Sequence, residues 1–116
     1  MAAAWEVLFY RDARGRAPVE QLIERLPSKL QARVLRSIDL LAEHGIGLKA
    51  PLAEKVTGEP FWELRIQQER NIVRIFYFAA TGRRMVLLHG FVKKSQRTPR
   101  REIETARKRY EEYRST

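Results

Sequence analysis

Four cations in this chain stand where a β-sheet could present them together to an anion. Arg65 and Arg74 lie inside the most strand-like segment of the sequence, FWELRIQQERNIVRIFYF (61–78). Lys93 and Lys94 follow at the end of a further apolar segment. Fixed arginine and lysine side chains stabilise the negative charge that develops on a reacting phosphate. These residue types therefore favour chemistry at a phosphodiester.

Strand alternation predicts that the two arginines share one face of the sheet. Successive side chains of a strand point to opposite faces. The residues on one face are apolar: Trp62, Leu64, Ile66, Val73, Ile75 and Tyr77. If that face packs on helices, Arg65 and Arg74 emerge together on the other face. There they lie on a solvated sheet face, pair with Glu63 and Glu69, the acids nearest in sequence, or form partly buried cations that bind an anionic ligand.

Cleavage of RNA needs few protein groups, because the 2′-hydroxyl of the RNA is the nucleophile and attacks the adjacent phosphate. The chain has no cysteine, and His44 and His89 lie far apart without a carboxylate cluster, which argues against a metal site. The P-loop, GxGxxG, GxSxG and HExxH motifs are absent from the sequence. We therefore expect neither a metal nor a cofactor, and we interpret His89 as a core residue more readily than as a general base.

A second set of cations is expected to contact RNA phosphates. Lys49 and Lys55 lie in the Gly- and Pro-punctuated connection 46–60, and Arg97, Arg100 and Arg101 follow the strand-end lysines. A mixture of lysine and arginine suits backbone phosphates better than base edges. The alternative interpretation of the cluster at the end of the last strand is a solvated basic turn; the cluster comprises Lys93, Lys94, Arg97, Arg100 and Arg101.

The elements that must position these side chains follow from periodicity and turn residues. The pattern predicts one α+β domain over residues 1–116, a small sandwich with the order β-α-α-β-β-β-α. An antiparallel sheet of about four strands carries a helical hairpin on one face and the C-terminal helix on the other. The expected strands are 4–11, 61–67, 71–79 and 84–92, the hairpin helices start at Pro18 and Ser28, and the last helix starts at Thr98–Pro99.

The charge of the chain is basic and uneven. The formal net charge is +9, and residues 83–114 hold 11 Lys and Arg against 4 Asp and Glu. A local basic excess indicates a polyanionic partner, such as a nucleic acid, or an acidic protein. No apolar run is long enough to span a membrane, and the N-terminus lacks the basic region of a signal peptide. We expect a cytoplasmic protein without a membrane partner.

In combination, these segments resemble the RelE/ParE toxin superfamily of bacterial type II toxin–antitoxin systems. The resemblance rests on FWELRI, RNIVRIFYF and MVLLHGFVKKSQRTPRREIETARKRY, and it covers essentially the whole chain. Within that superfamily the sequence is most similar to the HigB-like branch, the phage-derived host killers. The order of strands and helices in that family matches the order expected here.

The resemblance implies an endoribonuclease that cuts messenger RNA in the aminoacyl site of the ribosome and so arrests translation. It also implies an inhibitory antitoxin, usually a helix-turn-helix DNA-binding protein, and a toxin–antitoxin heterotetramer is one arrangement that it allows. By position, Arg65 matches a basic strand residue of the relatives, and Arg74 matches the arginine that contacts the scissile phosphate. Lys93 or Lys94 matches a further cation at the end of the last strand.

The sequence departs from the family in its acid–base residues. Several relatives use a C-terminal Tyr or His, whereas no Tyr or His follows Lys94 until Tyr110. Four explanations stay open: Lys93 or Lys94 acts with a lowered pKa, Glu63 is the base, Tyr110 reaches back, or charge stabilisation alone suffices on the ribosome. Two other functions also stay open, namely a ParE-like gyrase inhibitor that cuts nothing and a basic nucleic-acid-binding module.

Overall fold

The computed structural model describes residues 4–93 and 97–115. These residues form five strands and three α-helices, and a 3-10 turn at Gly45–Gly47. In chain order the elements are β1 (Glu6–Phe9), α1 (Pro18–Glu24), α2 (Ser28–His44), β2 (Ala53–Lys55), β3 (Trp62–Gln68), β4 (Asn71–Ala80), β5 (Arg84–Lys93) and α3 (Arg100–Ser115). The α+β class and the order of the expected elements are confirmed, with one short strand added.

The strands form a single mixed sheet in the order β1-β5-β4-β3-β2. Tight turns make the β3–β4 and β4–β5 hairpins antiparallel, whereas β1 pairs parallel with β5. The sheet thus differs in two details from the four-stranded antiparallel sheet that we expected. The chain leaves β1 through two helices, so no turn sets its direction against β5. Strand β2 has only three residues and is ordered by pairing with β3, a pattern too short to recognise in sequence.

Two apolar layers cover the two faces of the sheet. The layer under the helical hairpin contains Val19, Ile23, Leu30, Val34 and Leu41 from the helices and Leu64, Ile66, Val73, Ile75 and Tyr77 from the strands. The layer under α3 contains Phe61, Phe76, Phe78, Leu88, Phe91 and Ala106. The apolar faces of β3 and β4 therefore pack on the hairpin, as alternation predicted, and the opposite face receives α3.

A β-bulge interrupts the pairing of β4 with β5. Phe76 lies opposite His89, but the next residue, Tyr77, lies opposite Leu87, which leaves Leu88 as the extra residue. A bulge of this kind shifts the alternation of the strand by one residue. Leu87 accordingly packs under the hairpin, while His89 turns to the α3 face with Phe91. Simple alternation along β5 predicts that His89 shares a face with Leu87, and the bulge makes that prediction wrong.

The helices begin and end at residues with a clear backbone role. Pro18 is the first residue of α1, where its missing N–H costs nothing. Gly45 ends α2 with a positive φ of 53°, and a Cβ there would lie 2.1 Å from Nε1 of Trp5. This position therefore requires glycine on two counts. No helix within residues 4–93 and 97–115 is both long and apolar enough to cross a lipid bilayer.

Candidate functional site

Four charged side chains meet on the face of the sheet that also carries α3. Glu63 and Arg65 belong to β3, Arg74 to β4 and Lys93 to β5. The register sets Arg65 opposite Arg74, and it sets Lys93 opposite Ile72, two residues before Arg74. We call these four residues the cationic floor, since three cations surround one carboxylate. The sheet thus brings together four of the residues that the sequence singled out.

Arg74 is held by an ion pair with Glu63. Its Nη1 donates to Oε2 of Glu63, and only 14% of the arginine and 10% of the glutamate side chain is exposed. The Nε–H of Arg74 is also buried, and it has no hydrogen-bond partner among the described residues. A buried N–H without an acceptor costs about 1–3 kcal/mol. An oxygen atom of an anionic ligand would remove that cost.

Arg65 adds a like charge directly across from Arg74. Like charges on opposing residues of neighbouring strands destabilise a sheet. No ion pair joins Arg65 to any carboxylate in the described part of the chain, and Glu69 lies apart in the exposed β3–β4 turn. Of the ion pairs that the sequence allowed, the one between Arg74 and Glu63 forms, and the one between Arg65 and Glu69 does not. The position of Arg65 opposite Arg74 does not stabilise the fold, but it would favour the binding of an anion.

Lys93 has an ammonium group of altered acidity. Partial burial lowers the pKa of its ammonium below the ordinary lysine value, and the nearby charges of Arg74 and Arg65 lower it further. Glu63 opposes this shift without reversing it. A lysine with a lowered pKa gives up its proton more readily near neutral pH. Lys94, its expected partner, lies outside the described residues.

The other cations expected to bind RNA surround the floor less closely. Lys49 is exposed in the turn before β2, and the ammonium of Lys55 donates to the carbonyl of Glu59 rather than reaching the floor. Arg100 and Arg101 are exposed in the first turn of α3, where the free backbone N–H groups already carry partial positive charge. Arg97 is exposed as well and has an interaction within the protein.

Tyr110 lies at the wrong end of the sheet to serve the floor. Its ring packs edge-on against Phe78 at 4.8 Å between centroids, and its hydroxyl accepts from Nη1 of Arg114 at 3.0 Å. Phe78 stands four residues beyond Arg74 on β4, a separation of roughly 13 Å at the rise of a strand. The interpretation that Tyr110 reaches back to the phosphate is therefore wrong.

Polar contacts hold α3 on the sheet, and the sequence did not indicate them. Arg107 pairs with the buried Glu59, and the hydroxyl of Tyr10 donates to Glu112. The members of each pair lie 48 and 102 positions apart. No local pattern links residues at such separations. These contacts leave α3 covering one part of the sheet face, and the floor lies towards the other.

His89 belongs to the same set of α3 contacts. Nη1 of Arg109 lies 3.1 Å from its Nδ1, and its Nε2 lies 2.6 Å from Oε1 of Glu102. Because arginine only donates, Nδ1 accepts, and the proton on Nε2 is donated to Glu102. Both ring nitrogens are thus engaged, which supports the interpretation of a satisfied core histidine. Within residues 4–93 and 97–115, no three His, Asp or Glu side chains come together as metal ligands.

The burial of His89 predicts a pH-dependent stability. Burial, helped by Arg109, lowers the pKa of the imidazole below its usual value although Glu102 opposes this. As pH falls below about 6.5, the unfolded chain takes up the proton first, so the folded state loses stability. We expect the free energy of unfolding to fall by up to about 1.4 kcal/mol per pH unit from this group. Denaturant titrations between pH 7 and 5 measure it.

Two substitutions separate this effect from that of the other titrating groups. His89→Gln should show a shallower pH dependence than the wild type, because its side chain does not titrate. His44→Gln is the matched control, since His44 is exposed at the end of α2. A His89→Gln variant with the wild-type pH dependence would contradict the assignment.

A sheet with a helical hairpin on one face, a helix on the other and a partly buried group of cations defines a small α+β protein compatible with the RelE-like fold. Residues 21–111 match the family model described as Phage derived protein Gp49-like (DUF891). The chain therefore belongs to this phage-derived family of RelE-like toxins, which is associated with toxin–antitoxin systems. No curated protein matches the sequence.

Proposed function

We propose that this protein is the toxin of a type II toxin–antitoxin system and that it cleaves messenger RNA on the ribosome without a metal ion. The observation that carries the proposal is the buried, unpartnered Nε–H of Arg74 within a floor of three cations. An RNA phosphate has oxygen atoms to accept from that N–H, and its charge offsets the repulsion between Arg65 and Arg74. Membership of a toxin family supports the same function.

The reaction follows from the chemistry of RNA. The 2′-oxygen attacks the adjacent phosphorus, its bond to phosphorus forms, and the bond from phosphorus to the 5′-oxygen breaks. The products are a 2′,3′-cyclic phosphate and a free 5′-hydroxyl. Negative charge accumulates on the non-bridging oxygens during the attack, and we assign Arg74 and Arg65 to its stabilisation.

Two protons must move, and the floor holds one group suited to each. We assign Glu63 to accept the proton of the 2′-hydroxyl, because it is the carboxylate of the floor. We assign Lys93 to protonate the departing 5′-oxygen, because its lowered pKa eases loss of a proton. Glu63 also keeps Arg74 in place through their ion pair.

The surrounding cations hold the RNA strand and the ribosome supplies its position. Lys49, Lys55, Lys94, Arg97, Arg100 and Arg101 are assigned to backbone phosphates. Such contacts position a strand without reading its sequence. A messenger already fixed in the aminoacyl site loses less conformational freedom when it meets the floor, so few catalytic groups are required.

The partners follow from the HigB-like resemblance. We assign an inhibitory helix-turn-helix antitoxin as the partner that keeps the protein inactive, with a heterotetramer of two toxins and two antitoxins as the proposed assembly. The target is the translating ribosome, which places the active protein in the cytoplasm.

Induced expression followed by mapping of RNA 5′ ends tests the function. We expect growth arrest, new ends inside translated reading frames, and 5′-hydroxyl chemistry at those ends. Blocking translation initiation before induction should remove the cuts if they depend on the ribosome. Growth arrest with intact messenger RNA would overturn the proposal, and DNA breaks in the same cells would point to a gyrase inhibitor.

A further inference from the structure

A basic pocket lies around the edge of β3 from the cationic floor. It is formed between α2 and the part of β3 that extends beyond the short strand β2, and it encloses about 330 Å³. Three arginines line it, Arg33 and Arg36 from α2 and Arg65 from β3. No Asp or Glu is among its lining residues. We call it the edge pocket.

The arginines of the edge pocket are oriented but not neutralised. Nε of Arg33 donates to the carbonyl of Gln67 at 3.1 Å, so this side chain lies along the strand edge. Neither Arg33 nor Arg36 forms an ion pair within residues 4–93 and 97–115, and both are exposed. Arg36 stands three residues after Arg33, so the two guanidinium groups share one side of α2. Such groups can bind a phosphate by bidentate hydrogen bonds.

Arg65 connects the edge pocket to the floor. It lines the pocket, and its charge also acts on Lys93 across the floor. A basic path therefore runs from Lys93 and Arg74 over Arg65 to Arg33 and Arg36. β2 pairs with β3 only as far as Leu64, and the N–H of Arg65 donates to the carbonyl of Leu52 just before β2, so the edge of β3 is open beyond Arg65.

We propose that the edge pocket binds a backbone phosphate of the same RNA strand, next to the nucleotide that is cut. This inference rests on the proposed function. The pocket would hold the flanking phosphate while Arg74 holds the scissile one, so its contribution is to affinity and alignment and not to bond breaking. An acidic segment of a protein partner would meet the same charges, but the continuity through Arg65 favours the RNA strand.

Binding of non-cleavable RNA tests the proposal. The probe is single-stranded RNA of roughly ten nucleotides with 2′-O-methyl groups, which removes the nucleophile. Arg33→Gln/Arg36→Gln should weaken binding about tenfold at moderate salt and reduce the slope of log affinity against log salt by about 1.4. A dinucleotide probe, which spans only the scissile phosphate, should bind both proteins alike.

Two variants control for charge and folding. Arg14→Gln/Lys108→Gln removes the same charge from exposed residues after β1 and on α3, away from the pocket, and should change affinity by much less. Arg33→Lys/Arg36→Lys keeps the charge and should retain most of the binding. Thermal unfolding of each variant verifies that it is folded.

Five outcomes overturn the inference. Equal losses in the pocket and control variants would mean that only total charge matters, and unchanged RNA binding with lost antitoxin binding would assign the pocket to a protein. A loss seen only with vacant ribosomes, and not with free RNA, would assign it to ribosomal RNA. If the wild-type protein cuts messenger RNA and the pocket variant binds RNA as tightly as the wild type, only the role of the edge pocket is refuted. If the wild-type protein neither binds nor cuts RNA, the proposed function is refuted as well.

Discussion

Replacing Arg74 by alanine is expected to abolish growth arrest and to lower messenger cleavage by about 100- to 1,000-fold. The guanidinium is the group of the floor with a buried donor free for a phosphate oxygen, and alanine offers neither charge nor donor. Single-turnover cleavage of a defined message on purified translating ribosomes measures the effect, because it reports the chemical step.

The same substitution also carries a cost to stability, which the sequence pattern did not indicate. A strand arginine on a solvated face could be truncated with little loss of packing, but Arg74 is paired with the buried Glu63. Its removal leaves a buried carboxylate unpaired, and we expect a loss of about 3–5 kcal/mol in the free energy of unfolding. Lost toxicity alone would therefore not separate chemistry from unfolding.

Two controls separate these effects. Arg74→Lys keeps an ion pair with Glu63 and should fold normally, but it lacks the planar fork of donors, so we expect cleavage at least about tenfold below the wild type. The double variant Arg74→Gln/Glu63→Gln leaves no buried charge and should be stable and inactive. A folded Arg74→Ala protein that cleaves at the wild-type rate would refute the role of Arg74.

Replacing Lys93 by arginine is expected to lower cleavage about 100-fold or more, even though the charge is retained. The guanidinium holds its proton at all relevant pH values and cannot pass it to the departing oxygen. The ammonium of Lys93 can do so because burial and Arg74 lower its pKa. The single-turnover rate measured against pH distinguishes this role from simple charge stabilisation.

The sign of the pH effect is set by the direction of that shift. Lys93 acts as an acid in its protonated form, so the wild-type rate should fall as pH rises through a pKa below the ordinary lysine value of 10.5. The Lys93→Arg variant should lack that fall. Lys108→Arg, at an exposed position of α3, is the matched control. A Lys93→Arg rate and pH profile equal to the wild type would leave Lys93 with a charge role only.

Local patterns were sufficient for much of the fold. The alternation in β3 and β4 depends on the two-residue repeat of a strand, and it correctly assigned the hairpin face and the floor face. Pro18 and Gly45 mark helix ends through their own backbone preferences, so their positions were also predictable. The same reasoning failed at His89, because a bulge depends on how β4 and β5 pair and leaves no mark in the alternation of one strand.

The sequence by itself determined that Arg65 and Arg74 share a face, that Lys93 ends a neighbouring strand, and that the chain is a basic α+β protein of a toxin-like type. Only the tertiary structure decided that Arg74 is paired with Glu63, that Tyr110 is remote, that His89 is held by α3, and that Arg65 also borders the edge pocket. The physical reason is the distance along the chain over which each effect acts. Periodicity and backbone preference act between near neighbours in the chain, whereas ion pairs, burial and altered pKa values arise between groups that folding brings together from distant positions.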